Sequence, residues 1–230
     1  MLGLDPLYWA MMAPVMLLSL WASFRVKRSF HKFSQIPSFS GMTGAEVAQL
    51  ILQRNGLGDI PVEETSGFLS DHYDPGRKVV RLSPDVFRSN SLAAIGVAAH
   101  ETGHAIQHKN AYGPLVLRNT MAPVASIGSN LSWIIIIAGF VLGLMGLVKI
   151  GIIAFSIVVF FQIITLPVEF NASSRAKELL VSYGIVSSNE IDSVKKVLSA
   201  AAMTYVAAAA SAIATLIYFL IRAGLFARDD

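Results

Sequence analysis

Four long apolar segments dominate the sequence and restrict how the chain can fold. They contain between 18 and 22 residues each, close to the ~20 that a helix needs to cross a bilayer. Hydrophobic residues make up 54% of the 230 residues and charged residues only 14%, too little polar surface for a water-soluble domain. We therefore expect a multi-pass membrane protein with transmembrane helices at Leu7–Phe24, Leu131–Val148, Ile150–Val168 and Ala200–Ile221.

Small residues repeat at four-residue spacing in two of these segments. Gly139 and Gly143 form one such series, and Ala207, Ser211 and Thr215 form the other. Spacing of this kind favours close packing of helices within a membrane.

A basic cluster directly follows the first apolar segment. In a cleaved signal peptide the basic residues precede the apolar core, so we expect this segment to be a retained transmembrane helix. Beside a membrane, such residues are expected to contact anionic lipid. The cluster consists of Arg25, Lys27, Arg28 and Lys32.

The other lysines and arginines indicate the orientation. Residues 25–130 hold eleven of them and residues 169–199 hold four, whereas only three remain for the opposite side of the membrane. By the positive-inside rule, both long polar segments are expected to be cytoplasmic and both termini to lie outside. The three residues on the opposite side are Lys149, Arg222 and Arg228.

This topology predicts five parts. We expect an N-terminal transmembrane helix at 1–24, a cytoplasmic α+β segment at 25–119 and a transmembrane helical hairpin at 120–168. A second cytoplasmic segment is expected at 169–199, and a C-terminal transmembrane helix with a tail at 200–230.

The first cytoplasmic segment combines helix and strand signals. Thr43 and Glu46 form a capping box, which predicts a helix that ends at Asn55-Gly56. A strand is predicted at Pro61–Thr65. Phe68–Tyr73 and Lys78–Leu82 flank four turn residues, which predicts a β-hairpin.

Two further helices follow the hairpin. Ser83-Pro84 is typical of the start of a short helix. Ser91 is a candidate N-cap for the next helix, which carries the motif HExxH. A short sheet beside that helix would offer an edge strand to an extended peptide.

The motif HExxH indicates a metal site. On a helix, His100 and His104 lie one turn apart on the same face and can bind one Zn²⁺. Glu101 lies close by and can act as a general base toward a water that zinc activates.

A catalytic zinc needs a third protein ligand. His108 lies about 12 Å from His100 along a continuous helix, too far for both to bind one ion. Glu169 is the better candidate, because it stands at the end of the third apolar segment, on the same predicted side of the membrane as His100.

An HExxH motif followed much later by Glu-Phe-x-Ala resembles the gluzincin metallopeptidases. The chain resembles most closely the YugP-type family of bacterial membrane neutral zinc metallopeptidases, in residues 71–75, 80–83 and 166–170 as well as in the histidine motif. This resemblance implies a gluzincin-like α+β domain on a helical membrane protein of the bacterial cell membrane. It also implies zinc ligands His100, His104 and Glu169, with Glu101 as the catalytic base.

The chain departs from the wider gluzincin pattern at one position. Many of those membrane enzymes carry Asp four residues after the ligand Glu, where this chain has Ser173. That group orients a ligand histidine. Either Ser173 fills this role, or Asn171, Asp71 or Asp74 does.

The predicted function is hydrolysis of peptide bonds in protein or peptide substrates at the cytoplasmic membrane face, with one Zn²⁺ per chain. Candidates for a second donor to the developing oxyanion are His72, Tyr73 and Arg175. The alternative is a membrane scaffold or adaptor with a structural metal site. The basic residues form no stripe, so nucleic-acid binding is not expected.

Overall fold

The computed structural model describes residues 5–225. Within these residues the chain forms seven α-helices and three β-strands. The first four residues of the predicted N-terminal part lie outside the described residues. So does the end of the predicted C-terminal tail, residues 226–230, which includes Arg228. In chain order the elements are α1 (Pro6–Phe33), α2 (Gly44–Arg54), β1 (Val62–Glu64), β2 (His72–Asp74), β3 (Val79–Leu82), α3 (Pro84–Phe87), α4 (Leu92–Lys109), α5 (Gly113–Leu142), α6 (Met145–Ser182) and α7 (Ile191–Arg222).

The chain divides into two compact units, and α1, α5, α6 and α7 each contribute residues to both. The first, here called the membrane unit, contains the described residues 5–22, 116–167 and 204–225. The second, the α+β unit, contains residues 23–115 and 168–203. Four helices, α1, α5, α6 and α7, are long and apolar enough to cross a membrane, as predicted.

Two predicted helix starts in the α+β unit are confirmed. Thr43 caps α2 through a complete capping box with Glu46, and Gly56 follows the helix with φ +65°. Ser91 caps α4 by accepting a hydrogen bond from the Ala94 amide. Both helices therefore begin where the sequence predicts, because a side chain satisfies an amide that the helix leaves unpaired.

The three strands form one small sheet in the order β1-β3-β2. β2 and β3 make the predicted antiparallel hairpin, with Tyr73 opposite Val80, and β1 pairs in parallel with β3. The first strand of the hairpin is shorter than expected, because residues 68–71 do not pair with β3 as part of the strand. β2 is an edge strand, and it packs against α4.

The core of the α+β unit surrounds α4, in which 14 of 18 residues are buried. One side of α4 packs on α2, and another on the second half of α6 and the start of α7. The apolar side chains at this second contact include Ala99, Ala176, Leu180 and Val194. Such complete burial explains why α4 resembles an apolar segment in the sequence despite its polar motif.

Gly103 lets α4 come close to α6. A Cβ atom at this position would lie 2.9 Å from the carbonyl oxygen of Ala172 and 3.3 Å from its Cα. Both are backbone atoms and cannot rotate away. The glycine between Glu101 and His104 therefore sets the distance between the two helices.

In the membrane unit, the predicted boundaries of the second span are wrong. Leu131–Val148 was expected to be one helix, but α5 ends at Leu142 and α6 begins at Met145. Gly143 has φ +68°, a left-handed conformation that ends a helix. Lys149 consequently lies inside α6 rather than between two helices.

Some of the small residues pack as expected. A Cβ atom at Gly139 would lie 2.7 Å from the backbone nitrogen of Val148, so α5 and α6 are in close contact there. Ser211 of α7 lies 3.4 Å from Ser19 of α1, measured between the hydroxyl oxygens. Gly143, in contrast, terminates α5 and has no atom within 4 Å of an added Cβ.

Gly103→Ala is expected to destabilise the protein. Alanine favours a helix by about 1 kcal/mol over glycine, but the clash with the backbone of α6 costs about 1–3 kcal/mol. We expect a lower midpoint of thermal unfolding in detergent. Gly128→Ala is the control, because its Cβ would make only an ordinary contact at 3.7 Å. An equal or higher midpoint for Gly103→Ala than for this control would contradict the close approach.

Candidate metal centre

Three side chains of the α+β unit meet at the contact between α4 and α6. The Nε2 atom of His100 lies 3.2 Å from Glu169 Oε2, and the Nε2 atom of His104 lies 3.6 Å from the same oxygen. Their potential ligand atoms all lie within 4.8 Å of one another. A tetrahedral zinc site with bonds of about 2.0–2.1 Å separates its ligand atoms by about 3.3 Å. The arrangement therefore fits a zinc ion.

The other nitrogen of each imidazole is held by a neighbouring side chain. His100 Nδ1 lies 3.1 Å from the hydroxyl oxygen of Ser173, and His104 Nδ1 lies 2.9 Å from Gln107 Oε1. An amide oxygen only accepts hydrogen bonds, so His104 Nδ1 must carry the proton. With the proton on Nδ1, the Nε2 atom of the neutral imidazole is the one that can bind a metal ion.

Gln107 is a site residue that the sequence analysis missed. Its side chain is completely buried, and its Nε2 atom donates to the Val168 carbonyl at 2.8 Å and to Asn171 Oδ1 at 3.0 Å. The bond to a backbone carbonyl fixes which end of the amide faces His104. Gln107 thus links a histidine of α4 to the turn of α6 that carries Glu169.

The sequence did contain a signal for Gln107. It follows His104 by three residues, which places both on one face of a helix. A polar side chain on the same face as a proposed ligand is a candidate orienting group.

The charge of the centre favours a cation. Glu101 is 8% exposed and Glu169 is 2% exposed, so both carboxyl groups are removed from water. Burial is the largest single effect on His104 and opposes its protonation, whereas the hydrogen bond with Glu169 favours protonation. The charges of Glu101 and Glu169 act in the same direction, so the pKa of His104 lies above its ordinary value. The surroundings therefore stabilise positive charge between the two histidines.

Of the proposed orienting residues, Ser173 alone contacts a histidine of the group. Asn171 acts one step further out, since its Oδ1 accepts from Gln107 and from Arg175 Nε at 2.8 Å. Asp74 caps the turn after β2 and pairs with Arg81. Ser173, four residues after Glu169, is therefore placed to orient His100.

Asp71 holds the hairpin to the start of α3. Its carboxylate accepts hydrogen bonds from the amide and the hydroxyl of Ser83, at 2.7 and 3.0 Å. Burial raises the pKa of Asp71, and the charge of Glu101 adds to this effect. The carboxylate thus lies within electrostatic range of the proposed base without contacting a histidine.

The three candidate oxyanion donors lie in different surroundings. His72 is exposed on β2, and its Nδ1 atom lies 2.8 Å from the Ser70 carbonyl. Tyr73 Oη lies 2.8 Å from Nδ1 of His108, which ties β2 to the end of α4. Burial raises the pKa of Tyr73, so the phenol is protonated at neutral pH. Arg175 is bonded to Asn171, one turn before it on α6.

Two replacements of Gln107 separate its role as acceptor for His104 from its role as donor to α6. Gln107→Met removes the acceptor for His104 and both donors to α6, and we expect zinc affinity to fall about 10- to 100-fold. Gln107→Glu keeps an acceptor for His104 but loses the donors, so we expect an intermediate loss. Zinc affinity is to be measured by competition with a chelator. Unchanged affinity in Gln107→Met would contradict the orienting role.

Comparison with known proteins agrees with this geometry. Residues 8–224 match the family described as "Putative neutral zinc metallopeptidase". The chain is 54% identical over 203 residues to the "Putative membrane protease YugP" of Bacillus subtilis (strain 168), covering 88% of this chain and 90% of that protein. No solved structure matches the chain. The chain therefore belongs to the family of neutral zinc metallopeptidases of this description.

Proposed function

We propose that this protein is a zinc-dependent membrane endopeptidase that cleaves protein or peptide substrates at the cytoplasmic face of the membrane. The observation that carries the proposal is the meeting of His100, His104 and Glu169. Both histidines direct Nε2 to one carboxylate oxygen, and both have Nδ1 held by another side chain. Three protein ligands are the number typical of a catalytic zinc site, which keeps a fourth position open.

In this proposal one zinc ion is held by His100, His104 and Glu169. When bound, zinc supplies Lewis-acid activation of water and of the scissile carbonyl. Glu101 takes the proton of the attacking water and delivers it to the leaving amine. Its burial suits this role, because little bulk water competes with a bound group for the carboxylate.

The sheet supports a peptide as substrate. β2 is an edge strand packed against α4, and the bond between Tyr73 and His108 holds it there. An extended peptide can pair with such an edge through its backbone. His72 and Tyr73, both on β2, are then two candidates to donate to the developing oxyanion, and Arg175 is the third.

Glu169 also supports a substrate close to the bilayer. It directly follows Val168, the last residue of the third apolar segment, on the continuous helix α6. Protein segments attached to the membrane or emerging from it are therefore the proposed substrates.

Glu101→Gln is expected to abolish turnover and leave zinc bound. Loss of a general base lowers kcat by about 10²- to 10⁴-fold, while the three ligands stay intact. His100→Ala and Glu169→Gln should instead lower zinc affinity more than about 100-fold, beyond the effect of an orienting group. Zinc content is to be measured by elemental analysis, and cleavage by mass spectrometry of a peptide mixture.

Two outcomes would contradict the proposal. Wild-type turnover in Glu101→Gln would exclude the proposed base, and stoichiometric zinc in Glu169→Gln would exclude the third ligand. A scaffold with a structural metal site predicts bound zinc and no cleavage by the wild type. Membranes of cells that carry Glu101→Gln should accumulate uncleaved substrates. The proteins that accumulate there, compared with wild type, are the candidate substrates.

The orientation in the membrane can be tested by labelling, since the chain has no cysteine. Ser66→Cys, at an exposed position of the α+β unit, should be protected from a membrane-impermeant maleimide in intact cells and react after lysis. Leu144→Cys, between α5 and α6 and 54% exposed, should react in intact cells. The reverse pattern would place the proposed active site on the outer face.

A further inference from the structure

A cationic pocket lies in the α+β unit where parts of α1, α6 and α7 meet. Its volume is about 230 Å³. Arg25 and Lys177 supply two positive charges, and Ser199 supplies a hydroxyl group. None of the described residues that line the pocket is acidic. The lining is therefore complementary to an anion.

Apart from Ser173, the rest of the lining is apolar, and part of it is exposed. Phe170 is 49% exposed, and Met203 lines the pocket from α7. A small cationic centre beside apolar side chains suits a ligand that has both a charged group and hydrocarbon.

The position of these residues along the chain points to the membrane boundary. Arg25 is the first residue after the apolar segment Leu7–Phe24, and Phe170 comes two residues after the segment that ends at Val168. Met203 lies near the start of the segment Ala200–Ile221. At such positions a helix passes from hydrocarbon into the headgroup region.

We propose that this pocket binds the headgroup phosphate of one anionic phospholipid. An arginine guanidinium can hold two phosphate oxygens at once, and a lysine ammonium adds a point charge. Sites for drug-sized ligands have volumes of about 300–1,000 Å³, so this smaller pocket fits a headgroup better than a peptide. The acyl chains would lie along Phe170 and Met203.

The proposed lipid site shares a residue with the metal centre. Ser173 lines the pocket, and its hydroxyl oxygen lies 3.1 Å from His100 Nδ1. Lipid binding does not require the peptidase activity or zinc. It can therefore be measured on the metal-free protein, and its failure is distinct from failure of the proposed function.

The test uses the full-length, zinc-free protein in detergent. Phosphatidylglycerol and phosphatidylcholine with the same acyl chains are added, and retained lipid is counted by native mass spectrometry. We expect one phosphatidylglycerol per chain at concentrations at which phosphatidylcholine is not retained. Millimolar inorganic phosphate should not displace it, because free phosphate lacks the apolar contacts.

Matched variants locate the site. The double variant Arg25→Gln/Lys177→Gln should weaken phosphatidylglycerol binding about 25-fold. Each lost cation is expected to weaken binding about fivefold, and the two losses multiply. Lys27→Gln/Lys196→Gln also removes two positive charges, but neither residue lines the pocket, so we expect a change of less than about twofold. Arg25→Lys/Lys177→Arg keeps both charges and should keep the preference for phosphatidylglycerol.

Several results would overturn the proposal. Equal losses in the two glutamine pairs would mean that the whole basic surface attracts lipid without a defined site. Equal retention of phosphatidylcholine, or loss of selectivity in the charge-preserving pair, would exclude recognition by charge. Displacement by inorganic phosphate would indicate a site for free anions. Displacement by a peptide carboxylate but not by its amide would indicate a substrate site.

Discussion

The close contact between α4 and α6 is the constraint on which the metal centre depends. Gly103 leaves room for the carbonyl of Ala172, and this contact lets Glu169 reach both histidines. The four-residue spacing of His100 and His104 would place them on one face of any helix. They form a three-ligand centre only because a second helix approaches that face without an intervening side chain.

Hydrogen bonds then convert proximity into a defined arrangement. Ser173 and Gln107 each hold one imidazole by its Nδ1 atom, and Gln107 also binds the backbone of α6 at Val168. A ligand side chain that is already oriented loses less entropy when it binds a metal. The buried amide of Gln107 has its donors and its acceptor occupied, so its burial is compatible with a stable core.

The distribution of the centre along the chain has a functional consequence. Two ligands come from α4, which belongs wholly to the α+β unit, while the third comes from α6, whose first half belongs to the membrane unit. The proposed zinc site and the proposed lipid pocket both use the turn of α6 around Ser173. Residues just beyond an apolar segment thus carry much of the chemistry proposed for this protein.

The sequence determined the elements that depend on local interactions. Apolar segments predicted four membrane helices, the capping residues Thr43 and Ser91 predicted two helix starts, and turn residues predicted the hairpin. It also indicated Glu169, because the predicted topology puts this carboxylate on the same side of the membrane as His100. The inferences about helices, caps and turns succeed because these features depend on residues a few positions apart in the chain.

Tertiary structure decided what depends on distant residues. The boundary between α5 and α6 falls at Gly143 rather than at Lys149, since a glycine can adopt the left-handed conformation that ends α5. Gln107 gains its role only when Val168 and Asn171 are packed against it. Likewise, Gly103 is an unfavourable helix residue until the backbone of α6 lies beside it. The sequence specified the chemical groups of the site, and the packing of α4 on α6 specified how they meet.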